Sequence, residues 1–356
     1  MTPATPEQRP FLSCRMLIPA ILLYFMLLIL FFPRTVSALV VVWTQQFGGS
    51  GNDRGQYLAV DHEDNILVTG YKNNGANNDW MTIKYNPDGQ TIWTQRYNGG
   101  FNDVPYCITT DQADNVYVTG AATDGINEDY LTIKYDKDGN TNWVRKYNGP
   151  VNNSRAYGVA VDDSGNVFVT GSRNNSSDND FFTIKYDMNG ITLWTQIYDG
   201  GNIDGGLGVI AQEPGYIHVT GFKYNGTRRA FFTIKYDAAN GNTIWTQEYS
   251  GGLTNFANDL SMDNTGNIYV TGPKHNGISY DYFTIKYGPA GNTIWTQQFD
   301  GGGRDEAYAV CCDSAEYVYV TGYRQGATSD YFTVKYDSSG NTIWTQRYNG
   351  GNSDVA

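Results

Sequence analysis

The side chains that could carry out catalysis are few and scattered. The three histidines, His62, His218 and His275, fall at three unrelated positions, a hairpin, a strand and a loop. Nucleophilic catalysis needs a nucleophile and a base within hydrogen-bond distance of each other, and no such pair emerges from these positions. We therefore expect no catalytic residue and no enzymatic activity.

The cysteines and the Asp-rich segments give no clear metal-binding pattern. Cys107, Cys311 and Cys312 lack the paired spacing of a zinc site, and their odd number leaves at least one thiol free. Short hairpins such as residues 136–140 resemble calcium loops only superficially, because such a loop spans about twelve residues and ends in a bidentate Glu. We expect no metal ion and no cofactor.

A series of basic residues follows the recurring tripeptide Val-Thr-Gly. It lies where a predicted strand enters a long polar loop, and loops are where binding residues concentrate. One repeat carries Ala122 at this position instead. The basic members are Lys72, Arg173, Lys223, Lys274 and Arg324. We predict that they contribute to a ligand-binding face.

The fourth repeat departs most from the others. Tyr224, Arg228 and Arg229 replace its usual polar loop, and Ala230 replaces the usual Asp. An Arg pair beside a Tyr is suited to binding a carboxylate or an acidic sugar, whereas the alternative is ordinary surface charge. We predict that Arg228→Glu with Arg229→Glu abolishes binding of an acidic ligand without changing thermal stability.

A second lysine series lies inside predicted strands that neighbouring repeats should cover. A buried ammonium group needs a partner. We expect a repeated ion pair with an Asp that precedes the lysine in the same repeat, or with a hairpin Asp; the alternative is a cationic ring for an anionic ligand. The preceding aspartates are Asp79, Asp129, Asp180, Asp281 and Asp330. The series comprises Lys84, Lys134, Lys185, Lys235, Lys286 and Lys335.

These residues are placed by a repeat of about 50 residues. Seven tryptophans recur at intervals of 49 to 51 residues, and Val-Thr-Gly and Thr-Ile-Lys-Tyr return in the same phase. The tryptophans are Trp43, Trp93, Trp143, Trp194, Trp245, Trp295 and Trp344. A fixed period with β-branched and aromatic runs indicates a propeller or a β-solenoid.

One period decides between these two folds. It contains four strand-like runs, at residues 157–161, 167–173, 181–186 and 192–198, joined by two tight hairpins and one longer loop. Four antiparallel strands per repeat are typical of a propeller blade. The fold class is therefore all-β, a β-propeller, with the first strand near the central axis and the Trp-bearing fourth strand covering the gap to the next blade.

The sequence resembles the SBBP-repeat family of seven-bladed β-propellers. The resemblance rests on Val-Thr-Gly, Asp-Tyr-Phe-Thr-Ile-Lys-Tyr and Gly-Asn-Thr-Ile-Trp-Thr-Gln, which stand at 270–272, 281–287 and 291–297. It covers residues 39–356. It implies secreted or cell-surface propeller modules and adds no specific chemistry.

The blade count leaves two alternatives. Six complete four-strand sets run from residue 56 to 348, an extra fourth-type strand at 41–47 precedes them, and residues 350–356 match the opening of another repeat. Either the chain holds six blades and a partial seventh, or six blades close and one outer strand is surplus. We expect the first.

The first 38 residues differ in composition from the repeats. An uncharged run at 16–32 follows Arg9 and Arg15 and precedes small residues ending at Ala38. This pattern is typical of a secretory signal peptide, the alternative being an uncleaved anchor. We therefore divide the chain into a targeting segment, 1–38, and a propeller, 39–356, and expect a secreted or cell-envelope location.

The net charge of the chain argues against one class of function. The net charge of −12 argues against nucleic-acid binding, which depends on clustered Lys and Arg. We expect an exported, non-catalytic binding or scaffolding module that contacts a protein or glycan at the cell surface, an acidic one included, and meets the membrane only through an uncleaved N-terminal segment. The alternatives are an enzyme with a site in the central mouth and a structural repeat of a longer envelope protein.

Overall fold

A computed structural model describes residues 43–48, 51–149, 153–212 and 215–351. The targeting segment at 1–38 lies outside these residues. The described part contains 24 strands in six antiparallel sheets of four, so the all-β prediction is confirmed. In the same part, no helix is long and apolar enough to cross a membrane.

Each sheet is one blade, and its strands follow one another in chain order. Blade one contains β1 (Arg54–Val60), β2 (Ile66–Asn73), β3 (Asn78–Tyr85) and β4 (Thr91–Tyr97). Blade two contains β5 (Asp103–Thr110), β6 (Val116–Thr123), β7 (Glu128–Tyr135) and β8 (Thr141–Tyr147). Blade three contains β9 (Arg155–Val161), β10 (Val167–Asn174), β11 (Asn179–Tyr186) and β12 (Thr192–Tyr198).

The remaining blades repeat this plan. Blade four contains β13 (Gly205–Gln212), β14 (Tyr216–Tyr224), β15 (Arg229–Asp237) and β16 (Thr243–Tyr249). Blade five contains β17 (Asp259–Met262), β18 (Ile268–His275), β19 (Tyr280–Tyr287) and β20 (Thr293–Phe299). Blade six contains β21 (Asp305–Cys312), β22 (Val318–Gln325), β23 (Ser329–Tyr336) and β24 (Thr342–Tyr348).

Aspartate and glycine set the hairpins that separate the strands. Between β9 and β10, the Asp162 carboxylate accepts hydrogen bonds from the backbone N–H groups of Ser164 and Asn166, at 3.0 and 2.8 Å. Gly165 closes the turn with a φ of +77°, a conformation that costs glycine little. The Asp-rich hairpins are therefore turn structures, as their composition indicates.

The packing of the blades places the first strands innermost. Each first strand packs against the first strand of the next blade, whereas the fourth strands of the described blades do not pack closely on one another. Successive sheets enclose apolar layers; one holds Val167, Val169 and Ile184 of blade three against Tyr117 and Tyr130 of blade two. Crowded inner strands and splayed outer strands are the geometry of a propeller.

In blades one to five, a lysine of the third strand and a tryptophan of the fourth strand both donate to one backbone carbonyl of the next blade. The Trp143 indole Nε1 and the Lys134 Nζ both donate to the backbone carbonyl of Met188, at 3.1 and 3.2 Å. The expected ion pairs with hairpin aspartates form in two blades, Lys84–Asp61 at 2.8 Å and Lys286–Asp263 at 3.6 Å. These lysines are therefore structural in the inter-blade seams.

The two ends of the series differ in how they are covered. Trp43 donates its indole N–H to the Pro87 carbonyl of blade one, at 2.8 Å, as the outer tryptophan of a preceding blade would. At the other end β24 is exposed along its whole length, and Trp344 is 36% exposed against 7% for Trp143. Within the described residues, no strand of blade six packs along a strand of blade one.

Candidate functional site

One edge of the propeller collects the candidate binding residues. First strands begin there, second strands end there, and third strands begin there, so this edge carries the loops between strands two and three and the connections between blades. We call it the loop edge; in blade one it comprises residues 51–54 and 72–79. All eight residues predicted from sequence to bind a ligand lie at this edge: Lys72, Arg173, Lys223, Tyr224, Arg228, Arg229, Lys274 and Arg324.

The basic series at the loop edge is half-buried in the seams between blades. Lys223 lies over the rings of Tyr198, from the preceding blade, and Phe232, from its own, at 5.8 and 5.5 Å. Lys274 sits between the equivalent rings of blades four and five. Cation–π contacts of this kind hold the charged heads in place while leaving one side open to solvent. The remaining members, Lys72, Arg173 and Arg324, also lie over aromatic rings.

The arginine pair of blade four also has protein partners. Arg228 donates from Nη1 to the Gly252 carbonyl of the next connection, at 2.6 Å, and Arg229 lies 4.5 Å over the Phe222 ring. The backbone N–H of Tyr224 donates to the Asp204 carboxylate at 2.9 Å. The structure therefore brings these three residues together at the loop edge of blade four, where each one contacts another part of the protein.

A cluster that the sequence analysis missed lies on the inner rim of the loop edge, where blades two and three meet. The rings of Tyr106 and Tyr157, on adjacent first strands, are 5.1 Å apart. Arg155 forms an ion pair with Glu128, and all four side chains are half-buried. Burial raises the pKa of Tyr106 to about 12, so its hydroxyl stays protonated and can donate.

A related cluster lies on the rim at blade six. The buried Glu306 carboxylate accepts hydrogen bonds from Arg304 Nε at 2.5 Å and from the Tyr308 hydroxyl at 3.2 Å. The ring of Tyr323 lies 5.8 Å from that of Tyr308 at a tilt of 46°, and Arg304 lies 5.2 Å over the Tyr280 ring. Burial raises the pKa of Tyr308 well above its usual range.

The chemistry of both clusters suits binding better than proton transfer. Tyrosines with raised pKa values remain hydrogen-bond donors at neutral pH, and each carboxylate is already paired with an arginine. Tyrosine and arginine are also the residues that binding interfaces favour. A sequence signal existed: first strands carry tyrosine at the same position in three repeats, namely Tyr106, Tyr157 and Tyr308.

Of the histidines and cysteines, only His275 touches a residue of these clusters in the part of the chain that the structure describes, the Tyr280 ring. His62 lies in a hairpin at the opposite edge, 2.9 Å from an Asp114 oxygen, and His218 is buried in β14. His275 lies at the end of β18, 4.9 Å from the Tyr280 ring. Cys107, Cys311 and Cys312 lie in first strands, and none of them is in a disulfide bond within the described residues.

Comparisons with known proteins agree with the fold. The β-propeller repeat family SBBP matches residues 42–75 and 142–177, so the chain contains SBBP repeats. No curated protein has a matching sequence.

Three solved structures share the architecture at low sequence identity. A protein from Lactobacillus plantarum is 12% identical, with 88% of this chain and 89% of that chain covered and a TM-score of 0.58. A europium-containing methanol dehydrogenase is 11% identical over 87% and 73% of the two chains, with a TM-score of 0.53. A PL25 ulvan lyase is 10% identical over 81% and 82%, with a TM-score of 0.51. At these identities the similarity concerns the fold alone.

Proposed function

We propose that this chain is an exported β-propeller that acts as a non-catalytic binding module at the cell surface. Its contact surface is the loop edge, and its partner is a glycan or protein that carries acidic groups. Export rests on the uncharged run at 16–32 and the small residues that end at Ala38.

The observation that carries this proposal is the pair of tyrosine and arginine clusters on the inner rim. Tyr106 and Tyr157 each present a half-buried ring, and Arg155 stands beside them. Such rings supply a large amphipathic contact area that costs little conformational entropy on binding. The half-buried basic residues of the seams lie at the same edge, and all but Lys223, which pairs with Glu248, can supply positive charge to an acidic partner.

The arginine pair of blade four belongs to the same surface. Its contacts change the stability that we expect of the double variant, for which the sequence predicted no change. Arg228 donates a hydrogen bond and Arg229 stacks on an aromatic ring. Arg228→Glu with Arg229→Glu should therefore lower stability by about 1 kcal/mol as well as weaken binding.

The test is binding of the purified protein to an array of acidic and neutral polysaccharides and of surface proteins, followed by interferometry on the best ligand. Tyr106→Ala with Tyr157→Ala should weaken binding at least tenfold. Tyr216→Ala is the matched control, because Tyr216 begins β14 at the opposite edge.

Two results would contradict the proposal. Equal binding by the rim variant and the control would exclude the rim as the contact surface. New reducing ends or cleaved product from a bound polymer would make the chain an enzyme, since a binding module leaves its ligand intact.

A further inference from the structure

Three aspartates gather at the loop edge where blades five and six meet. Asp281 lies at the start of β19, Asp305 begins β21, and Asp300 lies in the connection between the two blades. One carboxylate oxygen of each residue lies within 4.8 Å of the corresponding oxygens of the other two. Asp281 and Asp305 are fully buried, whereas Asp300 is exposed. The group is therefore reachable from solvent on one side.

The hydrogen bonds of this group leave a buried oxygen without a partner. Oδ2 of Asp281 accepts from the side-chain amides of Asn276 and Gln298, at 2.8 and 2.5 Å, but its buried Oδ1 has no donor. Backbone N–H groups of the connection donate to Asp300 and Asp305: Gly302 to Asp300 Oδ1, Gly301 to Asp305 Oδ2, and Gln325 to Asp305 Oδ1. A buried carboxylate oxygen with no donor is costly unless a positive charge serves it.

In three other blades a basic side chain brings positive charge to the equivalent Asp, although Oδ1 of Asp79 in blade one also has no hydrogen-bond donor. Fourth-strand residues pair with the Asp equivalent to Asp281 in Arg96–Asp79, Lys146–Asp129 and Arg347–Asp330. Two residues after each basic side chain stands an asparagine: Asn98, Asn148 and Asn349. Blade five reverses both choices, because Gln298 replaces the cation and Asp300 replaces the asparagine. Blade five therefore loses a positive charge at residue 298 and gains a negative charge at residue 300.

Two cations face this group without pairing with it. Lys274 donates from Nζ to Gln298 Oε1 at 3.0 Å, and Arg324 donates from Nη2 to the Gly301 carbonyl at 2.9 Å. Neither lies within ion-pair distance of the three carboxylates in the described structure. Three carboxylates against two cations leave a net charge of −1 around the unpartnered oxygen.

We propose that Asp281, Asp300 and Asp305 bind a divalent cation, with Ca²⁺ the best fit. Calcium takes oxygen ligands at about 2.4 Å, so it spans carboxylate oxygens up to about 4.8 Å apart, and water completes its coordination. The ion supplies the positive charge that a guanidinium or ammonium group brings to the equivalent Asp in blades one, two and six. It ties β19 to β21 and so fixes the junction of blades five and six.

The nearby lysine and arginine limit the affinity of this site. Calcium affinity follows the number of charged ligands, and sites in extracellular modules have dissociation constants of roughly 10⁻⁴ to 10⁻³ M. We expect a value in that range. Magnesium should bind more weakly, because it demands a stricter octahedral geometry and gives up its water reluctantly.

The experiment is titration of the metal-free, purified protein with CaCl2 by calorimetry, with thermal melts at each concentration. The wild type should bind one ion and show a saturable rise in Tm that MgCl2 does not reproduce at equal concentration. Asp300→Asn, which restores the asparagine of the other blades, should weaken calcium binding at least tenfold. Gln298→Arg, which restores their cation, should raise Tm without calcium and remove the calcium response.

The control is Asp88→Asn, which removes an exposed hairpin carboxylate of blade one and should leave calcium binding unchanged. Asp300 and Gln298 are exposed, so both test variants should fold, and circular dichroism checks this. The proposal is overturned if the wild type shows no saturable calcium binding. It is equally overturned if Asp300→Asn binds calcium as the wild type does.

Discussion

The indole Nε1 of Trp143 donates a hydrogen bond of 3.1 Å to the backbone carbonyl of Met188, in a hairpin of the next blade. The same bond recurs from Trp43, Trp93, Trp194, Trp245 and Trp295, each to a carbonyl 43 to 44 residues further along. The same tryptophan contact therefore recurs at the period of the repeat. It joins each blade to its neighbour through a single residue type.

Removal of the Trp143 contact should destabilise the protein far more than the same change at Trp344. Trp143 loses about 1 kcal/mol of hydrogen bonding and part of its buried indole in Trp143→Phe, so we expect a cost of about 1 to 3 kcal/mol. Trp344 is much more exposed, and Trp344→Phe should cost less than about 0.5 kcal/mol. Guanidinium unfolding measures both. Equal losses would show that the carbonyl contact contributes nothing.

Lys84 and Asp61 form a buried ion pair, and removal of one partner alone should strongly destabilise the protein. Their charged atoms are 2.8 Å apart, and the ammonium group together with hydrogen bonds from Asn65 outweighs burial and lowers the pKa of Asp61. Lys84→Met leaves a buried, uncompensated carboxylate, so it should cost about 3 to 5 kcal/mol. Adding Asp61→Asn removes that charge while keeping the side-chain oxygen of the turn, and should recover part of the loss.

The pH dependence of the same pair has a defined sign. A lowered folded-state pKa means that the contribution of Asp61 to stability is present above its unfolded pKa and is lost as pH falls through the folded value. Lys84→Met should therefore flatten the acid limb of the stability profile. An acid limb identical to that of the wild type would contradict this account.

The repeats made the strands predictable from sequence, whereas the residue clusters on the inner rim were not predicted. The strand boundaries expected for blade three at 192–198 agree with β12, because hairpin glycines and alternating residues fix them locally. The ion pair of Arg155 and Glu128 joins β9 to β7, on two different blades, and depends on how the blades pack. No local pattern encodes that distance. The same reason explains why the sequence did not predict that Asp281, Asp300 and Asp305 lie together.

Replacement of His218 by phenylalanine should stabilise the protein. Both ring nitrogens of His218 are buried without partners, at a position that the other blades fill with Leu67, Tyr117, Phe168, Tyr269 and Tyr319. Burial and the nearby Lys235 lower its pKa to about 3. His218→Phe removes two unsatisfied polar atoms and should add about 1 to 2 kcal/mol at pH 8.

The gain from His218→Phe should grow in acid. The unfolded chain binds a proton near pH 6.5, but the folded chain does not until about pH 3, so the wild type loses stability as pH falls between these values. Urea unfolding at pH 8 and pH 5 measures the difference. A gain that is the same or smaller at pH 5 would contradict the burial of a neutral imidazole.

Asp180 in blade three should titrate near pH 6. Burial is the main cause of its raised pKa, and the carboxylates of Asp199 and Asp178 add to it, against the amide of Asn175. Blade three, like blade five, lacks the fourth-strand cation, since Ile197 holds that position and Asp199 follows two residues later. The folded chain keeps this proton up to about pH 6, whereas the unfolded chain releases it near pH 3.9. The stability that the proton supports is therefore lost as pH rises between those values.

Carbon-detected NMR of the side-chain carboxyls tests this directly. The wild type should show the Asp180 midpoint near pH 6, and Asp199→Asn, which restores the asparagine of blades one, two and six, should lower it. Asp136 is the internal reference, because hydrogen bonds from the side chain and backbone of Asn140 lower its pKa. If the Asp180 midpoint lay at the ordinary value, or did not move in Asp199→Asn, the reversed charges of blades three and five would have no electrostatic consequence. The shared reversal would then not distinguish these two blades from their neighbours.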